Sequence, residues 1–394
     1  PKGYEIPVVG NLLGSQRQAQ PALETTPERL QEAYQRAKER PVAPRTVSRA
    51  GFQEVRVKEP DVPRELPVLT YHLRDAGPYI TQGVVFLADP DTGARTMGVH
   101  RMQVKGGGRL CVQLISPTSQ EFLRRAEQRG EPLPVAVALG VDPTVVLAAV
   151  AWFPFGDKLA LAGALRGDPL ELAPCELSDL VVPAQAMVVL EGVVLPGVRE
   201  ADGPFGESTG YYTTATSPVV EVRLLQRRRE ALYAAFTPWT REDDLILNLV
   251  WAGEALKRLR SEIPSVVDLS LSWNASTMVV SMRKRTEGEP RKAIYLGLMH
   301  NYYIKRVIVV DEDVDVHSPW EVDWALATRV QPDRDLVVLE RVDANPIDPS
   351  VGPGAVGSRY GIDATKPLGE AERFEKIAVP TWAAERAREL LRGR

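Results

Sequence analysis

Between residues 67 and 240 the chain is a succession of short runs in which apolar and polar residues alternate. They read "GVVFLA", "MGVHRMQV", "RLCVQLI", "PVAVALG", "AMVVLEGVVL", "GYYTTA", "VVEVRLLQ" and "ALYAAF", with turn residues between them. A repeat of two sends successive side chains to opposite faces of a strand. Many such runs separated by turns predict a mostly antiparallel barrel or sandwich with inserted helices. "KGGGRL" at 105–110 lies between two of the runs and lacks the spacing of a phosphate loop, so it reads as a hairpin turn.

The flanks follow other patterns. Residues 1–66 open with "YEIPVVGNLLGS", pass through a helical stretch around Thr26–Glu39 and end in a mostly polar connector. From Arg241 the order is helix (241–261), the strands "VVDLSLS" and "TMVVSM", helix (289–300), the buried strand "RVIVV", helix (318–329) and the strand "LVVLE". That alternation predicts an α/β layer domain over 241–365. The tail, 366–394, contains the amphipathic "PTWAAERARELLRGR", suited to docking on this chain or on a partner subunit.

Composition excludes several classes. At 394 residues with 44% hydrophobic and 25% charged residues the chain has the make-up of a soluble globular protein. A net charge of -4 offers no basic face, so nucleic acid is not the expected partner. Cys111 and Cys175 are the only cysteines, which rules out a disulfide framework and fits a reducing compartment. With no apolar run of the roughly 18 residues that a membrane span needs, and no signal peptide, a cytoplasmic protein is expected. Because Pro1 rather than Met comes first, a leading segment is expected to have been lost.

Other motifs fail on inspection. Asp311, Asp313 and Asp315 have the opening of a calcium loop, but Val316 stands where Gly is needed and Val322 where the bidentate Glu is needed. They read as the acidic end of a buried strand. His72, His100, His300 and His317 lack metal-ligand spacing, and no Gly-x-Ser-x-Gly elbow occurs. "TREDD" at 240–244 reads as a helix start, with Thr240 as the cap and Glu242 and Asp243 in the positive first turn.

What remains is a set of charges. Arg101 is flanked by apolar residues in "TMGVHRMQV", where a lone guanidinium is costly to bury, so it needs a carboxylate or an anionic ligand. Asp202 and Glu207 are expected on a loop between "VVLEGVVLPG" and "TGYYTTA", stiffened by Gly203, Pro204 and Gly206. Two readings stay open: a structural ion cluster, or a site that lets a ligand approach the backbone closely.

The motifs "HRMQV", "AGALRGDPLELAPCE", "VVLEGVV", "DGPFGESTGYY", "VIVVDEDVDV", "WALATR" and "GIDATKP" occur in the order and spacing of the UbiD-like decarboxylases, and the resemblance spans nearly the whole chain. It implies an α+β fold: a split β-barrel flavin-binding domain (67–240), then the α/β domain (241–365) and a helical tail. It further implies prenylated FMN (or FMN) as cofactor, a small carboxylic acid as substrate, a flavin prenyltransferase to supply the cofactor, and a homodimer or higher oligomer.

By that resemblance Arg101, Asp202 and Glu207 match the family's catalytic Arg and two acids, with Asp in the first acid position. Arg101 would orient the substrate carboxylate, Asp202 would serve the network, and Glu207 would protonate the carbon that loses CO₂, a task suited to a carboxylic acid of raised pKa. The family's divalent metal, usually manganese, is held by Asn, His and Glu; the matching positions here are Thr96, Ser119 and Lys158. Two neutral hydroxyls and a cation are a poor ligand set for such a metal. The cofactor-binding residues implied are therefore Thr96, Arg101, Ser119 and Lys158, with the Lys158 ammonium pairing directly with the flavin phosphate and no metal between them. Three functional classes follow: a metal-free flavin-dependent decarboxylase or reversible carboxylase of an aromatic or α,β-unsaturated acid, a catalytically idle homologue serving as a binding or assembly subunit, and an FMN oxidoreductase.

Overall fold

The structure is a computed structural model that describes residues 2–15, 17–19, 23, 30–151 and 157–392. Its largest element is a nine-stranded sheet curled into a half barrel. The strands are β1 (Val55–Lys58), β2 (Tyr79–Ile80), β3 (Val84–Ala88), β4 (Arg95–Val99), β5 (Met102–Gly106), β6 (Arg109–Val112), β7 (Leu133–Leu139), β8 (Val188–Gly206) and β9 (Tyr212–Arg227). They pair antiparallel in the order β2-β5-β6-β9-β8-β7-β3-β4, with β1 added along β9. The glycines of 105–110 form the β5–β6 hairpin, as the sequence predicts.

Alternation decides which core each residue joins. On β3, Val84 and Phe86 enter one apolar cluster and Val85 and Leu87 the other; on β7, Ala136 and Ala138 oppose Val135, Val137 and Leu139. Burial on both faces accounts for the unbroken apolar run "VAVAL". Each fully buried Val or Leu contributes on the order of 1.5–3 kcal/mol. Helices α1 (Leu30–Glu39), α3 (Pro143–Val150) and α4 (Lys158–Arg166) cover the first face, and Phe122, Leu123 and Ala126 of α2 (Pro117–Gln128) close the second. The expected N-terminal end of α1, Thr26–Arg29, lies outside the described residues.

The second sheet comprises β10 (Val266–Ser272), β11 (Thr277–Met282), β12 (Arg306–Asp311), β13 (Leu336–Asp343) and β14 (Val356–Ala364), in the order β10-β11-β12-β14-β13. Central β12 runs parallel to both neighbours. Val307 and Val309 face Ala293, Ile294 and Leu298 of α5 (Glu289–Leu298), whereas Ile308 and Val310 face Val322 and Ala325 of α6 (Pro319–Arg329). This is an α/β layer arrangement, as expected, with helices on both faces of the sheet. A helix running from Arg241 through a π-turn at Asn248–Ala252 to Glu262 joins the two halves. Its Leu249 and Val250 sit in the barrel core, and its Ala255 and Leu259 in the second core.

Two local expectations are refined. At the start of that helix the Thr240 hydroxyl donates to the Thr237 carbonyl, and it is the Asp243 carboxylate that accepts the Thr240 amide at 3.3 Å. Glu242 turns inward, is buried and accepts the Leu13 amide at 2.8 Å. The acidic run after β12 is structural: buried Arg329 bridges Asp311 at 2.8 Å and Asp313 at 3.0 Å, and Lys366 adds a bond to Asp313 at 3.1 Å.

Candidate functional site

Arg101 occupies the break between β4 and β5, where its carbonyl accepts the Gln113 amide at 3.1 Å. Its guanidinium meets both predicted acids: Nη1 pairs with Glu207 and Nη2 lies 3.4 Å from Asp202. The three side chains are 7%, 11% and 0% exposed for Arg101, Glu207 and Asp202, so water screens the cluster weakly. Nη1 also donates to Thr213 Oγ1 at 3.2 Å, and Thr213 in turn donates to Glu207 at 2.8 Å. Below the guanidinium the Phe205 ring centroid lies 4.9 Å from Cζ, within cation–π range.

The acid pair does not stand on a loop, as the sequence reading expected. Asp202 through Gly206 finish the 19-residue strand β8, and Glu207 opens the hairpin to β9. The glycines and proline instead make a bulge: Asp202 faces Ala215 and Phe205 faces Thr213, so three steps on β8 match two on β9. In a regular strand, residues five apart point to opposite faces. One extra residue restores the parity, and Asp202, Phe205 and Glu207 share a face with Thr213 and Ser217. Gly203 has φ 110°, and a Cβ there would lie 2.6 Å from the Thr213 carbonyl oxygen, so only glycine fits.

Asp202 is anchored from the other side. Tyr79 donates to its Oδ1 at 3.0 Å and Ser217 to its Oδ2 at 2.8 Å. Burial, reinforced by the charge of Asp202, holds the Tyr79 hydroxyl far above its ordinary pKa, so it remains a donor. Arg101 Nε is buried with no partner among the described residues, and so is His100 Nε2, on the neighbouring residue. Burial pushes the His100 imidazole down to about 4, which keeps it neutral.

Thr96 of β4 and Lys158 at the start of α4 line one cavity together with Met97, Asp157 and Leu180. The Lys158 ammonium donates to the carbonyls of Met97 at 3.0 Å and Ala149 at 2.8 Å, and no carboxylate pairs with it among the described residues. Burial lowers its pKa from 10.5 to about 8. Ser119 is buried in the first turn of α2 and is not among the described residues of that cavity wall. Thr96 and Lys158 thus come together and Ser119 stands apart from their cavity. A half-buried ammonium with no carboxylate partner among the described residues, in a wall that also offers a hydroxyl, fits the phosphate of a flavin mononucleotide.

Sequence reasoning missed Tyr79, Thr213 and Ser217. Thr213 and Ser217 carried a signal, since hydroxyls at even spacing on an alternating run share a face. Tyr79 carried none, because its strand has two residues.

A split-barrel sheet with an α/β layer domain and an acid–Arg–acid cluster on its bulged hairpin defines a class, and comparison with known proteins agrees. Residues 45–240 match the 3-octaprenyl-4-hydroxybenzoate carboxy-lyase Rift-related domain and residues 246–364 the C-terminal domain of the same carboxy-lyases. The chain belongs to this family, UbiD. It is 34% identical over 382 residues to anhydromevalonate phosphate decarboxylase of Methanothermobacter thermautotrophicus, covering 96% of this chain and 89% of that one. Among solved structures it is similar to the UbiD-class enzyme HmfF of Pelotomaculum thermopropionicum in complex with FMN, with 39% identity, a TM-score of 0.92, and coverage of 96% and 87%. Vanillic acid decarboxylase of Sedimentibacter hydroxybenzoicus in its closed form is 30% identical with a TM-score of 0.85, over 99% of this chain and 88% of that one.

Proposed function

We propose that the chain is a non-oxidative decarboxylase, or reversible carboxylase, of an aromatic or α,β-unsaturated carboxylic acid, working with prenylated FMN and without a divalent metal. The observation that carries the reading is Arg101 held by two carboxylates from one bulged hairpin. When bound, the modified flavin supplies the sink for the electron pair left as CO₂ departs. The rest falls to the chain. Arg101 has its Nε free of protein partners among the described residues, and with it orients the substrate carboxylate. Glu207, the more accessible acid, delivers the proton that replaces CO₂ on carbon and regains one from solvent. Asp202, with Tyr79 and Ser217, keeps Arg101 in place. Thr96 and Lys158 are the residues that would hold the flavin phosphate; Ser119 belongs to this set by resemblance alone.

The family likeness supports cytoplasmic work beside a flavin prenyltransferase. Among the described residues no helix is long and apolar enough to cross a membrane. The tail helix Thr381–Arg392 exposes Trp382, Leu390 and Leu391, which supports a homodimer or higher oligomer. The test uses protein loaded with prenylated FMN and a panel of acids named for the relatives, vanillic acid and anhydromevalonate phosphate. Glu207→Gln is expected to keep the flavin and lose roughly 10²–10⁴ in turnover of the accepted acid. Undiminished turnover by this variant refutes the assignment.

A further inference from the structure

The proton donor proposed above is placed by its backbone, and the backbone just before it is held in an unusual way. Val188–Val194 of β8 lie between β9 and β7, but residues 203–206 have β9 on one side only. Outward-facing backbone groups on such an edge need other partners. Gly203 N donates to Gln103 Oε1 at 3.3 Å, the Pro204 carbonyl accepts the Ala76 amide at 2.8 Å, and Gly206 N donates to Asp75 Oδ1 at 2.9 Å. Segment 71–76 therefore stands in for the missing strand.

Asp75 is the centre of that substitute. Its side chain is fully buried, and among the described residues no Lys or Arg pairs with it; the nearest basic group is the His72 ring, whose Nδ1 lies 3.7 Å from Oδ2. A buried carboxylate in that situation is stable only if its oxygens are well supplied with donors. Oδ2 accepts the amides of Tyr71 at 3.0 Å and His72 at 2.8 Å, while Oδ1 takes the Gly206 amide. His72 packs closely on the same side: a Cβ on Gly206 would come 2.4 Å from its Nδ1.

We propose that Asp75 is a positioning residue for Glu207: its carboxylate fixes the amide of the preceding residue and so holds the hairpin start at the distance where Glu207 meets Arg101. The proposal rests on the reading of Glu207 as proton donor, but its structural half stands alone.

Asp75→Asn discriminates. The carboxamide has one acceptor oxygen, so either Gly206 or the Tyr71–His72 turn faces an NH₂ group that cannot accept. Hydrogen–deuterium exchange on the full-length protein is expected to show the 203–207 amides exchanging about 10–100-fold faster, with the rest of the sheet unchanged. With whichever panel acid the wild type decarboxylates, kcat is expected to fall about 10–100-fold while KM stays within about threefold, the pattern of a lost transition-state contact. Wild-type exchange at 203–207, or protection lost evenly across the barrel, overturns the proposal. Wild-type protein that turns over no acid counts against the decarboxylase reading instead, while the exchange result still decides the role of Asp75 in holding Gly206.

Discussion

Lys158 ties the family resemblance to a measurable charge, and Lys158→Met removes that charge while keeping most of the volume. Burial takes its pKa from 10.5 to about 8 in the folded chain. Between those values the unfolded chain binds more proton than the folded one, so stability of the cofactor-free protein rises as pH climbs through this window. At neutral pH the buried ammonium costs up to roughly 3 kcal/mol, less whatever its two carbonyl bonds and nearby water return. Lys158→Met is therefore expected to stabilise the cofactor-free protein at about pH 7 by roughly 1–2 kcal/mol. Binding runs the other way. A phosphate dianion favours the protonated amine, and losing that charge-assisted bond is expected to weaken FMN by about 1.5–3 kcal/mol, roughly 12–150-fold in Kd. Wild-type affinity should decline by up to about tenfold per pH unit above pH 8, a dependence that the variant lacks. Thermal melts without ligand and FMN titrations at about pH 6.5 and about pH 9.5 measure both. If Lys158→Met is more stable yet binds FMN as the wild type does, burial is the whole story of this lysine and the phosphate assignment fails.

Two further predictions are independent of that one. Protein purified without chelator is expected to carry little manganese, and elemental analysis showing near-stoichiometric divalent metal that leaves on Lys158→Ala refutes the metal-free reading. Tyr79→Phe removes one of the donors to fully buried Asp202 and is expected to lower stability by about 1–3 kcal/mol in urea titrations; an unchanged midpoint would show that Asp202 does not depend on this bond.

Much of the fold was legible because burial imposes a period. The alternating runs mark β3 to β9, although "MGVHRMQV" is divided into β4 and β5 at His100–Arg101 and "GYYTTA" and "VVEVRLLQ" are joined in β9, and the switch in pattern at Arg241 marks the second sheet. Less legible were features that depend on distant partners. Nothing in "PVVG" shows that Val8–Gly10 pairs parallel with Tyr233–Ala235 in a separate two-stranded sheet, since the partner is far away in sequence. At the site, Arg101 was recoverable as a charge in apolar surroundings and Asp202 and Glu207 as two acids on a stretch stiffened by Gly and Pro, but the bulge was not. Gly-Pro-x-Gly fits a loop as well as a bulged strand end, and only the opposing register of β9 decides between them.

That register also divides the work of the two acids. Asp202 and Glu207 are brought to one face by the extra residue, yet they are not equivalent. Asp202 is fully buried, spends both oxygens on Tyr79 and Ser217, and reaches Arg101 only at 3.4 Å. Glu207 lies at the open end, with Arg101 and Thr213 as its partners and 11% of its side chain exposed. A group that must give up a proton and regain one in each cycle needs a route to water, which Asp202 lacks. The same bulge that aligns the acids therefore leaves them in different surroundings, closed around Asp202 and open beside Glu207, as the proposed division into anchor and proton donor requires.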